Sequence, residues 1–212
     1  MSRAGGMALV VAAVLLVGCE GDVAVRSGSG SSPTGQDSGT AHPPTPAPTA
    51  PRAGSVVPAR PLTVRLPSGR RLSVRAVSTR HGLLDVPADV DRVGWWRGGS
   101  RIGDPFGATL LAAHVDSTDQ GVGPFAELLG VRRGALVRIS GRGLTQDFAV
   151  ASLRLVPRRA LARHVEVFSP RGPRRLTLVT CAGPYVPSRG GYLDLLVVTA
   201  TPTTAAREKA AS

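Results

Sequence analysis

At 212 residues the chain has room for one domain of ordinary size plus extensions, and two domains would be crowded. Hydrophobic residues make up 42% and aromatics only 4%, so a core must be built mainly from Leu, Val and Ala. Lysine and arginine outnumber the acidic residues 26 to 14, a formal charge of +12; without interleaved aromatics this argues against nucleic-acid binding and suits anionic lipids or wall polymers, with a genomic bias toward arginine as the plain alternative.

In chain order, a weakly basic start, Met1 to Gly6, is followed by an apolar run from Met7 to Val17. That run is shorter than the roughly twenty apolar residues a spanning helix needs, so residues 1–18 are read as a signal peptide. The run closes on Leu16-Val-Gly-Cys19, a pattern similar to a bacterial lipobox. On that resemblance Cys19 is the lipid-attachment site and the protein is exported, held by its acyl chains at the outer face of the cytoplasmic membrane. An ordinary secretory signal and an uncleaved short anchor are the alternatives. Residues 19–61 turn Gly/Ser-rich and then Pro/Thr-rich, a composition that buries too little surface to offset ordering entropy, and are expected to form a disordered linker.

Short apolar runs then recur between turn residues across 62–202: Leu62 to Leu66, Leu72 to Val77, Ala108 to Ala113, Leu136 to Ile139, Phe148 to Val156, Leu176 to Thr180 and Leu193 to Ala200. Seven or eight such strands with few helical stretches predict an all-β barrel or sandwich. Short helices are expected near Phe125 to Leu129 and Pro157 to Arg163, and residues 203–212 are a tail. Leu66-Pro-Ser-Gly69, between two of the strands, reads as a hairpin turn. Asp85, Asp89 and Asp91 lack metal-loop spacing, and no metal or cofactor is expected.

The chemistry concentrates on two residues. With Cys19 committed to lipid, Cys181 is the one thiol left to an exported chain, and its run Leu176-Thr-Leu-Val-Thr-Cys-Ala-Gly183 places it at a strand end beside a Gly-Pro loop. An unpaired thiol outside the cytoplasm is an intermolecular bridge, an inert buried residue or a nucleophile. Among the histidines, His42 falls in the linker, His81 opens a turn and His164 follows a basic stretch. His114 ends the strand Leu110 to Ala113 and leads into Val115-Asp-Ser-Thr118, where it can meet Cys181 across a cleft and carry its proton.

Gly94-Trp-Trp96, Ala113-His-Val-Asp-Ser117, Gly123-Pro-Phe125 with Leu128, Leu178-Val-Thr-Cys-Ala-Gly183 and Gly191-Tyr-Leu-Asp194 resemble, in order and spacing, a class F sortase of actinomycetes. The resemblance covers nearly all of Leu83 to Ala200. It implies a sortase-type β-barrel of about eight strands that works as a monomer. Its activity would be cleavage of a Leu-Pro-x-Thr-Gly-like sorting signal of a surface protein through a Cys thioester. The acyl group would pass to an amine of peptidoglycan or its precursor, or to water. On this reading Cys181 is the nucleophile and His114 the proton carrier, with Thr180 and Asp116 as cleft or orienting residues, although the position of Asp116 better suits it to cap the following turn.

One departure stands out. Family members often carry arginine in a Tyr-Arg-Asp-Asn block, where this chain has Leu193 and then Leu195 in place of the Asn. Arg189 is the only arginine between Cys181 and Ala200 and is nominated for substrate and oxyanion contact, with Arg174 as the distant substitute. A papain-like protease is disfavoured because His precedes Cys and the Cys ends a strand. A sortase-fold lipoprotein that has lost its arginine and only binds the wall or envelope is the rival from a different class.

Overall fold

The computed structural model describes residues 56–80 and 83–208. The signal peptide, Cys19, His42, most of the linker and His81 lie outside the described residues. Eight strands build the barrel of the main sheet, β1 (Pro61–Arg65), β2 (Arg71–Val77), β3 (Arg92–Trp96), β4 (Ala108–Ala112), β5 (Leu136–Gly141), β6 (Leu144–Pro157), β7 (Arg175–Val186) and β8 (Gly191–Pro202), and a two-residue ninth strand, Arg207–Glu208, pairs with the start of β6. Their order is β8-β7-β4-β3-β2-β1-β5-β6, and β6 pairs again with β8, closing the sheet into a barrel without free edges among these strands. Neighbours are antiparallel except β2–β3 and β4–β7, which are parallel.

Leu66-Pro-Ser-Gly69 makes the β1–β2 turn. Gly69 takes φ 89°, a conformation open to glycine, and its N–H donates to the Leu66 carbonyl at 2.9 Å. The two expected helices are present as 3-10 segments, Pro124–Gly130 and Arg158–Arg163, followed by one α-turn, Val165–Phe168; Pro157 ends β6 instead of opening a helix. Asp85, Asp89 and Asp91 each engage an arginine, Arg80, Arg92 and Arg70.

Two apolar clusters lie on opposite faces of the sheet. The larger fills the barrel with Leu66, Leu111, Phe125, Leu128, Phe148, Leu176 and Leu178 among others. The smaller sits outside, where Leu110, Ala112, Val179, Leu195, Val197 and Val156 are covered by Val167, Leu161 and Phe168 of the short helical segments. This explains why β4 is buried at every position: its odd residues face the barrel and its even residues face the outer cover. Each fully buried Leu or Phe contributes about 1.5–3 kcal/mol, which gives an aromatic-poor chain a sufficient core.

Candidate active site

The site is built where the parallel pair β4–β7 runs out. Register pairs Ala112 with Val179, the Ala113 N–H donates to the Val179 carbonyl at 3.2 Å, and the ladder ends there. One residue on, the Thr180 hydroxyl, 2% exposed, donates to the Ala113 carbonyl at 2.9 Å. His114 and Cys181 are the next residues of the two chains. In a parallel pair, register partners project on one face and alternate along the strand. Ala112, Val179 and Cys181 belong to the outer cluster, while Ala113 and Ala182 belong to the barrel interior. His114, between the buried Ala113 and Val115, is half-buried. The alternation thus brings His114 and Cys181 to the same face at the same end of adjacent strands.

Cys181 is not at a strand end, as the Gly-Pro after it suggested. β7 continues to Val186 and stays paired with β8, because a register shift between Ala182 and Tyr185 and a positive φ of 78° at Gly183 absorb the Gly-Pro dipeptide. The sulfur is nevertheless at an edge of pairing, since β4 stops short of it. It is half-buried and forms no disulfide. Burial pushes its thiol up; the Arg158 guanidinium pulls the other way and the Asp116 carboxylate adds to the rise.

Asp116 starts a two-residue ribbon, Asp116–Ser117 against Gly121–Val122. It does not cap the turn: the Ser117 hydroxyl accepts the Asp119 N–H at 3.3 Å. Instead the Asp116 carboxylate accepts the Tyr192 hydroxyl of β8 at 2.5 Å. That hydrogen bond is the main reason the phenol is pushed up to about 12. Tyr192 also packs edge-on against Tyr185, ring centres 5.0 Å apart. The Asp116–Tyr192 link thereby joins the segment after His114 to the strand beside Cys181. Tyr192 stands in the Gly191-to-Asp194 block quoted above, but nothing near it in the chain advertises a carboxylate partner 76 residues away.

Behind His114, Gly123 donates its N–H to the Val115 carbonyl at 2.9 Å, and a Cβ built there would lie 2.9 Å from the His114 carbonyl. The absent side chain lets the 3-10 segment press against the histidine backbone. Trp95 is buried in the barrel, whereas Trp96 faces the outer cover and meets Phe168 edge-on at 5.6 Å.

The arginines fall in different places. Arg174 precedes β7 at the opposite end of the barrel, seven residues before Cys181, roughly 23 Å along an extended strand. Burial lowers it to about 10, it lies over Phe148, and it lines a cavity of about 520 Å³ with Asp104, Gln146 and Thr204. That cavity holds neither Cys181 nor His114. Arg189 lies on the β7–β8 hairpin in the 3-10 turn Pro187–Arg189 with an exposed side chain, and its carbonyl accepts from the Arg158 guanidinium at 3.1 Å. His164 pairs with Glu166 at 3.1 Å, away from this site.

The closed eight-strand barrel has the sortase fold, the fold of a family of cysteine transpeptidases. A sortase-domain family model matches residues 69–203, and the chain belongs to the sortase family. Solved structures with the same fold include a sortase of Actinomyces oris, 16% identical, with 74% of this chain and 90% of that chain covered and a TM-score of 0.54. Sortase C1 of Streptococcus suis is similar at 22% identity, 69% and 74% coverage and a TM-score of 0.52. Sortase A of Listeria monocytogenes is similar at 14% identity, 69% and 88% coverage and a TM-score of 0.51. No curated protein sequence matches the chain.

Proposed function

We propose that the chain is a class F-type sortase, anchored through a lipid on Cys19 at the outer face of the cytoplasmic membrane, that cleaves a Leu-Pro-x-Thr-Gly-like sorting signal. The observation that supports this reading is the register of β4 and β7, which ends at Ala112–Val179 two residues before His114 and Cys181, in a chain of the sortase family. The Cys181 thiolate adds to the carbonyl carbon of the Thr-Gly bond. Collapse of the adduct breaks the C–N bond, and the leaving nitrogen takes a proton from the His114 imidazolium. The thioester is then attacked by an amine of peptidoglycan or its precursor, or by water, with His114 accepting the proton and Cys181 leaving as thiolate. Thr180 holds the two strands in register behind these groups. Because burial favours the neutral thiol, the thiolate is a minority species at neutral pH, and activity should climb as pH rises toward the raised value of the Cys181 thiol.

Cys181→Ala and His114→Ala, assayed on such a peptide, test the reading: Cys181→Ala should abolish cleavage and His114→Ala should lower it about a hundredfold or more, with melting close to wild type. Cleavage that survives in Cys181→Ala sinks it. A second reading, a non-catalytic envelope-binding module, is favoured by one observation. Leu195, 9% exposed, stands directly opposite Cys181 on β8, and Leu193 follows on the same face, so β8 offers the thiol no charged residue there. A thiol-directed sorting-peptide analogue that labels Cys181 in the wild-type chain decides for the enzyme.

A further inference from the structure

The leucines of β8 leave a vacancy of charge beside Cys181, and the neighbouring strand fills it. Register runs Cys181–Leu195–Val156 across β7, β8 and β6, and Ala182–Asp194–Pro157 one step further out. Arg158 follows Pro157 as the first residue of the 3-10 segment, whose Ala160 and Leu161 pack over the face of Val156, Leu195 and Cys181. Its guanidinium crosses β8 to donate to the carbonyls of Gly190 at 2.7 Å and Arg189 at 3.1 Å, both in the β7–β8 hairpin. Half-buried and forked, it closes the hairpin on one side of Cys181 as the Asp116–Tyr192 bond closes it on the other.

We propose that Arg158 is the positioning guanidinium of this active site: it pins the β7–β8 hairpin and sets its charge beside Cys181, the post that β8 itself fills with leucine. The inference rests on Cys181 being the nucleophile. Around the thiol stand Asp116 from the ribbon, Tyr192 from β8 and Arg158 from the 3-10 segment after β6, with His114 just beyond the end of β4. Arg158 is the one among them whose attraction lowers the Cys181 thiol against burial. Arg189, one residue from the pinned carbonyl of Gly190, serves through its backbone, and its side chain is exposed. Sequence order hid this arrangement, since Arg158 precedes the nucleophile by 23 residues and enters from a strand two places across the sheet.

The test uses the full chain carrying Cys19→Ser, so that Cys181 is the sole thiol, and measures iodoacetamide alkylation against pH beside cleavage of a sorting-signal peptide. Arg158→Ala and Arg158→Gln should lower the alkylation rate at neutral pH by roughly threefold or more and move its midpoint upward. Arg158→Lys, which keeps the charge and loses the fork, should hold the midpoint near wild type while cleavage falls. Gln retains a hydrogen-bond donor for the hairpin, so a midpoint shift in Arg158→Gln reports charge and not unfolding. Arg159→Ala, an exposed neighbour, should trace the wild-type profile. Overlapping profiles for Arg158→Ala, Arg158→Gln and wild type would overturn the proposal, as would a shift produced by Arg189→Ala alone. If the wild-type chain cleaves no peptide, the proposed cleavage activity fails, while the alkylation contrast still decides the role of Arg158.

Discussion

Replacing Thr180 by valine removes one hydroxyl and keeps the shape, and the structure fixes what that hydroxyl does. It is buried and its hydrogen bond to the Ala113 carbonyl is the last tie between β4 and β7 before His114 and Cys181. Losing a buried hydrogen bond and leaving the carbonyl without that donor costs about 1–2 kcal/mol. For a domain of this size that lowers the melting temperature by about 2–8 °C. On the proposed mechanism, loosening this tie displaces His114 from Cys181, and turnover should fall by roughly tenfold. Thr177→Val is the matched comparison. The Thr177 hydroxyl lies on the same strand, 1% exposed, and has no hydrogen-bond partner, so exchanging it for methyl relieves a desolvated polar group and should leave melting unchanged or raised. Calorimetry with peptide-cleavage kinetics on both variants reads the contrast. Equal melting of Thr180→Val and wild type, or an equal drop in Thr177→Val, would refute the reasoning.

Two further outcomes test the frame around the site. Gly123→Ala puts a methyl against the His114 carbonyl and should cut turnover about tenfold or more while costing about 1–2 kcal/mol of stability; unimpaired turnover would show that the 3-10 segment does not position the histidine. Asp147 is held below the usual carboxylate range chiefly by its hydrogen bond to Arg138, and Glu166 is lowered to about 2 chiefly by its own backbone N–H and then by Arg154. Both folded-state values lie below the unfolded ones, so these carboxylates stabilise the fold above about pH 4 and the contribution is lost as pH falls toward their folded values. Asp147→Asn should therefore melt below wild type at pH 7, by about 1 kcal/mol because the partner arginines are partly exposed, with the gap narrowing on acidification; a gap that stays constant would contradict the assignment.

Where the sequence spoke clearly, it did so through apolar periodicity. The runs at Leu72 to Val77, Ala108 to Ala113 and Leu176 to Thr180 became β2, β4 and β7, and the continuous burial of the last two followed from covers on both faces. β3 was not legible as a strand because Gly94 sits at its centre and its two tryptophans part to opposite faces, one into the barrel and one under Phe168. The extension of β7 beyond Cys181 was hidden by Gly183-Pro184, which usually end a strand and here are absorbed by a bulge. His114 and Cys181 could be named because each follows an apolar run. The partners that position them, Tyr192 for Asp116 and Arg158 for the hairpin, reach the site only through barrel closure, a long-range pairing without a local signal.

The central claim is that Cys181 takes up the acyl half of a sorting signal. Intact-mass analysis of the wild-type chain, quenched in acid soon after mixing with a Leu-Pro-x-Thr-Gly-type peptide, should show an adduct ending at the threonine carbonyl. Peptide mapping should place it on Cys181, hydroxylamine should remove it, and Cys181→Ala should not form it. Peptide cleavage without any Cys181 adduct, or an adduct that persists in Cys181→Ala, would contradict the account.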